Sequence, residues 1–132
     1  TYIRGLTRCK GDAYKPKEAL SEKEAYDFHK EQMQILADAG VDFLFASTLP
    51  ALTEAIGIAK AMSETGKDYV ISFIIRDNGK LLDGTLLTDT IKIIDDSVAT
   101  PPLFYLTNCI HPDVLHKSFL NLRDEDIFPY AN

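Results

Sequence analysis

A chain of 132 residues with 45% apolar and 26% charged residues has the size and composition of one ordinary globular domain. That excludes a disordered tail, a collagen-like repeat and a disulfide-stapled miniprotein. Fourteen Lys and Arg against twenty Asp and Glu give a net charge of −6 without a basic cluster, which points away from nucleic acid and from an anionic membrane surface.

Taken in chain order, the first well-marked element is a helix over Ser21–Ala39. Ser21 and Glu24 form an S-x-x-E capping box, and Gly40 supplies the left-handed residue that stops the helix. Ala25, Phe28, Gln32, Ile35, Leu36 and Ala39 fall on one face at helical spacing, the expected buried stripe. The run Val41–Ala46 reads as a strand. A second helix is expected over about 50–65, with Pro50 tolerated in its first turn, a stripe of Leu52, Ile56, Ala59 and Met62, and Gly66 as its stop. Tyr69–Ile75 reads as the next strand, followed by the turn signals Asp77-Asn78-Gly79 and Asp83-Gly84. A helix over about 87–96, a strand over Leu103–Thr107, a helix over about 113–121 and a weaker strand over Asp126–Tyr130 complete the chain.

The first three strands are nearly continuous in apolar character, the mark of strands covered on both faces in a parallel sheet. Strand starts lie 28, 34 and 23 residues apart, the spacing of βα units. The chain reads as a single α/β domain, with an open doubly wound sheet and a barrel both admissible. The longest apolar runs are far shorter than the ~20 residues of a membrane helix, and no signal-peptide pattern opens the chain. Two cysteines, Cys9 and Cys109, are too few for an extracellular disulfide framework, so the cytoplasm is the expected compartment.

In either α/β architecture, chemistry collects at the carboxyl ends of the strands. Those ends carry Ser47 and Thr48, then Arg76, Asp77 and Asn78, then Asn108, Cys109 and His111, and finally Asn132. Each has a plainer reading beside it. Ser47 and Thr48 can cap the following helix. Arg76 and Asp77 can be turn residues, and His111 before Pro112 can serve only the turn. Cys109 can be a buried small hydrophobe, or it can pair with His111 as a C-x-H chelate. Cys9 falls in a loop able to approach the same rim. His29 reads as a solvated or helix-packing side chain, and His116 as a surface one.

A series of short motifs adds a resemblance. Gly11-Asp12-Ala13-Tyr14, Leu20-Ser21-Glu22, Phe28-His29, Ala39-Gly40-Val41-Asp42, Thr48-Leu49-Pro50 with Glu54-Ala55, Ile71-Ser72-Phe73, Asp83-Gly84-Thr85, and Asn108-Cys109 with Pro112 follow in order. Together they resemble the homocysteine S-methyltransferase family across roughly residues 11–132. The resemblance implies a zinc-dependent (β/α)8 barrel. Such an enzyme moves a methyl group from a donor such as S-methylmethionine, betaine or a methylated folate onto the homocysteine thiol. It makes Cys109 the first of three thiolate zinc ligands, because soft sulfur holds zinc while a three-ligand site leaves a position open for the substrate thiol. It makes Ser47, Thr48 and Asn108 the substrate-binding candidates.

Two departures from the family pattern qualify what is expected. Neither the Gly-Gly-Cys-Cys that carries the other two ligands nor the Asp-Gly-Gly of the first barrel strand is found in these residues. A full barrel takes about 250 residues, so the chain is expected to form an incomplete barrel of about five of eight strands and to hold zinc weakly or not at all unaided. Ser47 also stands where the family places a Glu for the substrate ammonium, which removes a charge-assisted bond and puts homocysteine itself in question as the acceptor. Three functions are compatible with this: part of a thiol S-methyltransferase, a non-catalytic homologue that binds a small molecule, or a module that self-associates through open barrel edges.

Overall fold

The computed structural model describes residues 2–4, 9–10, 13–15 and 19–120, with backbone alone for 2–14. Four strands form one parallel sheet: β1 (Tyr2–Arg4), β4 (Leu44–Leu49), β5 (Tyr69–Phe73) and β6 (Phe104–Thr107), lying side by side in chain order. A small antiparallel hairpin of β2 (Cys9–Lys10) and β3 (Ala13–Tyr14) stands apart. Helices α1 (Glu22–Asp38), α2 (Leu52–Ser63) and α3 (Leu87–Ser97) make the crossovers, and α4 (Pro112–Leu120) follows β6. Successive parallel strands joined by helices and never reordered are the arrangement of a barrel wall, not of a doubly wound sheet, which reverses direction at a switch point.

β5 is the centre of the sheet, and all five of its residues are buried. By register, Tyr69, Ile71 and Phe73 share a face with Leu44, Ala46 and Leu49 of β4 and with Tyr105 of β6. That face packs on Met33, Ala55, Ile58, Ala59, Met62 and Ile94 from the helices. Phe73 stacks on Tyr105 at 5.9 Å between ring centroids. The opposite face carries Phe45, Val70, Ser72, Phe104 and Leu106. On β6, the last strand of the sheet among the described residues, Phe104 is 52% and Leu106 43% exposed.

Helix α1 forms where its capping box requires. Ser21 Oγ accepts from the Glu24 backbone N–H, and Glu24 Oε2 accepts from Ser21 N at 2.9 Å. The Ser21 hydroxyl, which donates to the same Oε2 at 2.6 Å, and then the Ser21 N–H hold the Glu24 carboxyl below its ordinary range. The buried face of α1 is rotated from the expected one. Ala25, His29, Met33 and Ala37 are buried, at strict i, i+4 spacing, while Phe28 and Ile35 are about 60% exposed. The reason is the crossing with α2. A Cβ on Gly57 would stand 2.4 Å from the Glu22 carbonyl oxygen, so the two helices meet with small residues facing each other. Bulky Phe28 and Ile35 cannot enter so narrow a seam.

His29 is therefore a helix-packing residue and not a solvated one. It is 1% exposed, its Nε2 lies 3.8 Å from Oε1 of the fully buried Glu54, and neither ring nitrogen has a hydrogen-bond partner among the described residues. His116 is exposed, as expected.

The first predicted strand is displaced: β4 begins at Leu44 and runs through Ser47 and Thr48 to Leu49. Asp42 and Phe43 are exposed, and pairing starts where the Leu44 N–H meets the Asp68 carbonyl. The remaining predicted elements are observed within a few residues, except Asp126–Tyr130 and Asn132, which lie outside the described residues. Strand β1 and the hairpin were not foreseen, because elements of two or three residues carry no readable period. No described helix is long and apolar enough to cross a membrane.

Candidate functional site at the carboxyl ends of the strands

The tips of β4, β5 and β6 meet in one hydrogen-bonded cluster. Near the end of β4 the pairing with β5 slips: Ala46 opposes Ile71 but Leu49 opposes Phe73, so three steps on one strand match two on the other. This is a β-bulge, and it places Thr48 in the left-handed region at φ 61°. Just past β6, Cys109 is left-handed too, at φ 56°. Both are non-glycine residues in a region that costs of order 1 kcal/mol, so the surroundings must hold them there.

Asn108 does so. Its Oδ1 accepts from the Thr48 backbone N–H at 3.1 Å and from the Ser72 hydroxyl at 2.7 Å. Its Nδ2 donates to Thr48 Oγ1 at 2.7 Å and to Cys109 Sγ at 3.1 Å. Thr48 Oγ1 lies 3.0 Å from Ser47 Oγ. The Asn108 backbone N–H donates to the Phe73 carbonyl, which ties the turn to β5. One carboxamide thus joins three neighbouring strands and presents an N–H to an exposed thiol.

The structure therefore brings Ser47, Thr48, Asn108 and Cys109 together. Cys109 is exposed, not a buried hydrophobe. Ser47 is 2% exposed and meets only neutral groups within the cluster, so it supplies no charge for an ammonium. The helix-capping alternative for Ser47 and Thr48 does not hold. The N-cap of α2 is Ala51, and the Leu52 N–H is taken by Asp83 Oδ2 at 2.7 Å. Asp83 Oδ1 also accepts from the Thr85 N–H, so Asp83-Gly84-Thr85 is a capping turn for α2.

Arg76, Asp77 and Asn78 form the turn of an excursion between β5 and α3, closed by the Ile75–Leu81 and Lys80–Leu86 bridges. Asn78 Oδ1 accepts from the Lys80 N–H there. His111 serves the start of α4, where its Nδ1 accepts from the Asp113 N–H at 3.2 Å. Cys9 lies in β2, and its side chain is outside what the structure describes. Ser72 was missed as a site residue. The alternation of β5 with Tyr69, Ile71 and Phe73 on the helix side puts it on the opposite face, but only the register beside Asn108 gives it a partner.

A metal fits this cluster only in part. Cys109 offers one soft donor at an open rim, whereas zinc takes four ligands. No group of three or more His, Cys, Asp or Glu able to hold a metal ion occurs among the described residues.

A parallel β/α wall with its polar residues gathered at the carboxyl rim defines a partial (β/α)8 barrel. The solved apo structure of the homocysteine methyltransferase MmuM from Escherichia coli has the same fold over this stretch, with a TM-score of 0.63 and 27% identity. The match covers 76% of this chain and 38% of that one. The family profile of homocysteine S-methyltransferase matches residues 3–132, so the chain belongs to the homocysteine S-methyltransferase family. Among curated relatives, the homocysteine S-methyltransferase YbgG of Bacillus subtilis is 37% identical over 93 residues, covering 70% of this chain and 30% of the relative. The homocysteine S-methyltransferase of Escherichia coli is 31% identical over 94 residues, covering 70% and 29%. The selenocysteine methyltransferase of Astragalus bisulcatus is 27% identical over 110 residues, covering 80% and 31%. The chain spans about a third of the length of these relatives.

Proposed function

We propose that this chain is the central wall of a thiol S-methyltransferase and supplies one zinc ligand, Cys109, and part of the acceptor pocket. The supporting observation is the position of Cys109. It is an exposed thiol at the tip of a parallel strand, in a family with this activity, and it receives an N–H from its neighbour Asn108. The remaining zinc ligands would come from residues other than those described. The acceptor is a thiol of the homocysteine class, the donor a methylated sulfonium, ammonium or folate. The acceptor loses its proton, its sulfur forms a bond to the methyl carbon, and the donor's bond to that carbon breaks with its electron pair staying on the donor.

Ser47, Thr48 and Asn108 line the acceptor side. Ser47 offers a neutral oxygen in place of a carboxylate, so an acceptor without a free ammonium is bound at less disadvantage than in an enzyme that carries a Glu there. The reading places the protein in the cytoplasm, where thiols stay reduced. The test is methyl transfer from S-methylmethionine to homocysteine and to 2-mercaptoethanol, with and without zinc, by the whole enzyme of which this chain is the central wall, with Cys109 intact and as Cys109→Ala. Zinc-dependent product that disappears in Cys109→Ala supports the reading. Product that persists in that variant refutes the role of Cys109.

The exposed apolar β6 favours a second reading of the same wall, self-association through its open edge. In that case the 132-residue chain is a non-catalytic homologue whose edge is covered by a second copy. Light scattering across a dilution series separates the two readings. A dimer that survives dilution supports association, and a monomer throughout rejects it.

A further inference from the structure

We propose that Ser72 is a positioning residue for Cys109, acting through the Asn108 carboxamide. The inference rests on the reading of Cys109 as a site residue and concerns what holds its partner in place. Ser72 sits on β5, is fully buried, and donates its hydroxyl to Asn108 Oδ1, the oxygen that also accepts from the Thr48 N–H. The Thr48 backbone N–H can only donate, so it decides which end of the amide is oxygen. One donor leaves that oxygen a hinge about which the carboxamide swings. The second donor, from a different strand, removes the swing, and Nδ2 is then fixed against Thr48 Oγ1 and Cys109 Sγ.

The two left-handed residues are fixed by the same contact. Thr48 bonds the carboxamide through both its N–H and its Oγ1, and Cys109 through its sulfur. No solvent reaches Ser72, so water cannot take over its hydrogen bond if the hydroxyl is removed. Ser72 therefore acts at a distance: it does not bond the sulfur, yet it sets where the N–H that faces the sulfur stands. Outer groups that orient a ligand-bearing side chain in this way commonly matter nearly as much as the ligand itself.

The test reads Asn108 directly and needs neither metal nor turnover. Nuclear magnetic resonance of 15N-labelled protein gives the solvent exchange of the Asn108 Nδ2 protons and their Overhauser contacts to the Cys109 β protons. In the wild type the contacts are expected and exchange is slow. Ser72→Ala is expected to speed exchange about tenfold and to weaken the contacts, the effect of losing one buried neutral hydrogen bond. Ser72→Thr, which keeps the hydroxyl, is expected to stay within about twofold of the wild type. Exchange unchanged in a folded Ser72→Ala, or no contact from Nδ2 to Cys109 in the wild type, overturns the proposal. If Ser72→Ala does not fold, Ser72→Cys, which keeps the side-chain shape and weakens the donor, is read in its place, with the same two outcomes. A protein that passes this test and still fails to transfer methyl groups retains the positioning role of Ser72 and loses the functional reading of Cys109.

Discussion

Replacing Gly57 with alanine probes the contact that decides how α1 lies on α2. Alanine is the better helix former by about 1 kcal/mol, so an exposed glycine in α2 would gain stability from the change. Gly57 is not exposed. Its added Cβ would stand 2.4 Å from the Glu22 carbonyl oxygen, 2.7 Å from Ala25 Cβ and 2.8 Å from the Tyr26 nitrogen. Ordinary contact begins at 3.4 Å, so α1 would have to withdraw by 3.4 − 2.4 = 1.0 Å. Two of the three atoms are backbone and cannot rotate away. Withdrawal of the whole helix loosens Ala25, His29 and Met33 together, all within 1% of full burial. Overpacking of this kind costs about 1–3 kcal/mol, and more where backbone must shift. The backbone contacts put the cost in the upper half of that range, so after subtracting the propensity gain of about 1 kcal/mol a net loss of about 1–2 kcal/mol is expected. Urea unfolding followed by far-UV circular dichroism measures it as a lower midpoint at unchanged slope. A midpoint equal to or above that of the wild type would refute the account of the helix crossing.

The other predictions use the same assay. Gly40→Ala is expected to cost about 1–2 kcal/mol for a different reason, since nothing lies within 4 Å of its added Cβ but its φ is +78°; equal stability would show that the helix end relaxes freely. Asp83→Ala is expected to cost about 1 kcal/mol by uncapping the first turn of α2, and Asp83→Asn less, because its one carbonyl oxygen can keep one of the two bonds that the carboxylate makes to the Leu52 and Thr85 N–H groups; an indifferent Asp83→Ala would argue against capping from so far along the chain. Tyr69 is pushed up to about 12 by burial, and Tyr105 is raised further by burial and by its bond to Asp95. Both are raised above the unfolded value near 10, so their contribution is complete below pH 10 and is lost as pH climbs toward 12, by about 1.4 kcal/mol per pH unit per tyrosine. Tyr105→Phe should flatten that alkaline loss, and an unchanged slope would contradict it. Finally, His29→Leu is expected to hold stability within about 1 kcal/mol of the wild type or raise it, because neither ring nitrogen has a hydrogen bond to lose among the described residues; a loss of several kcal/mol would instead mark a charged pair with Glu54.

By itself the sequence determined the alternation of elements. Apolar runs at βα spacing predict parallel strands, which are buried in β4 and β5 but largely exposed in β6; the Ser21–Glu24 box starts α1, and Gly40 ends it, because each is a local choice of few residues. It also placed Ser47, Thr48, Asn108 and Cys109 near the carboxyl rim, although β4 runs three residues past the Ala46 at which its apolar run stops. The tertiary structure decided what no local pattern encodes. The apolar stripe of α1 pointed to Phe28 and Ile35, yet the close approach at Gly57 turned Ala25, His29, Met33 and Ala37 inward. The bulge at Thr48 exists only as a mismatch between two strands, so neither strand alone contains it. Asn108 bonds Ser72, 36 residues away, and Thr48, 60 residues away. Contacts over such separations arise from the register of neighbouring strands, and register is set by the packing of the whole sheet.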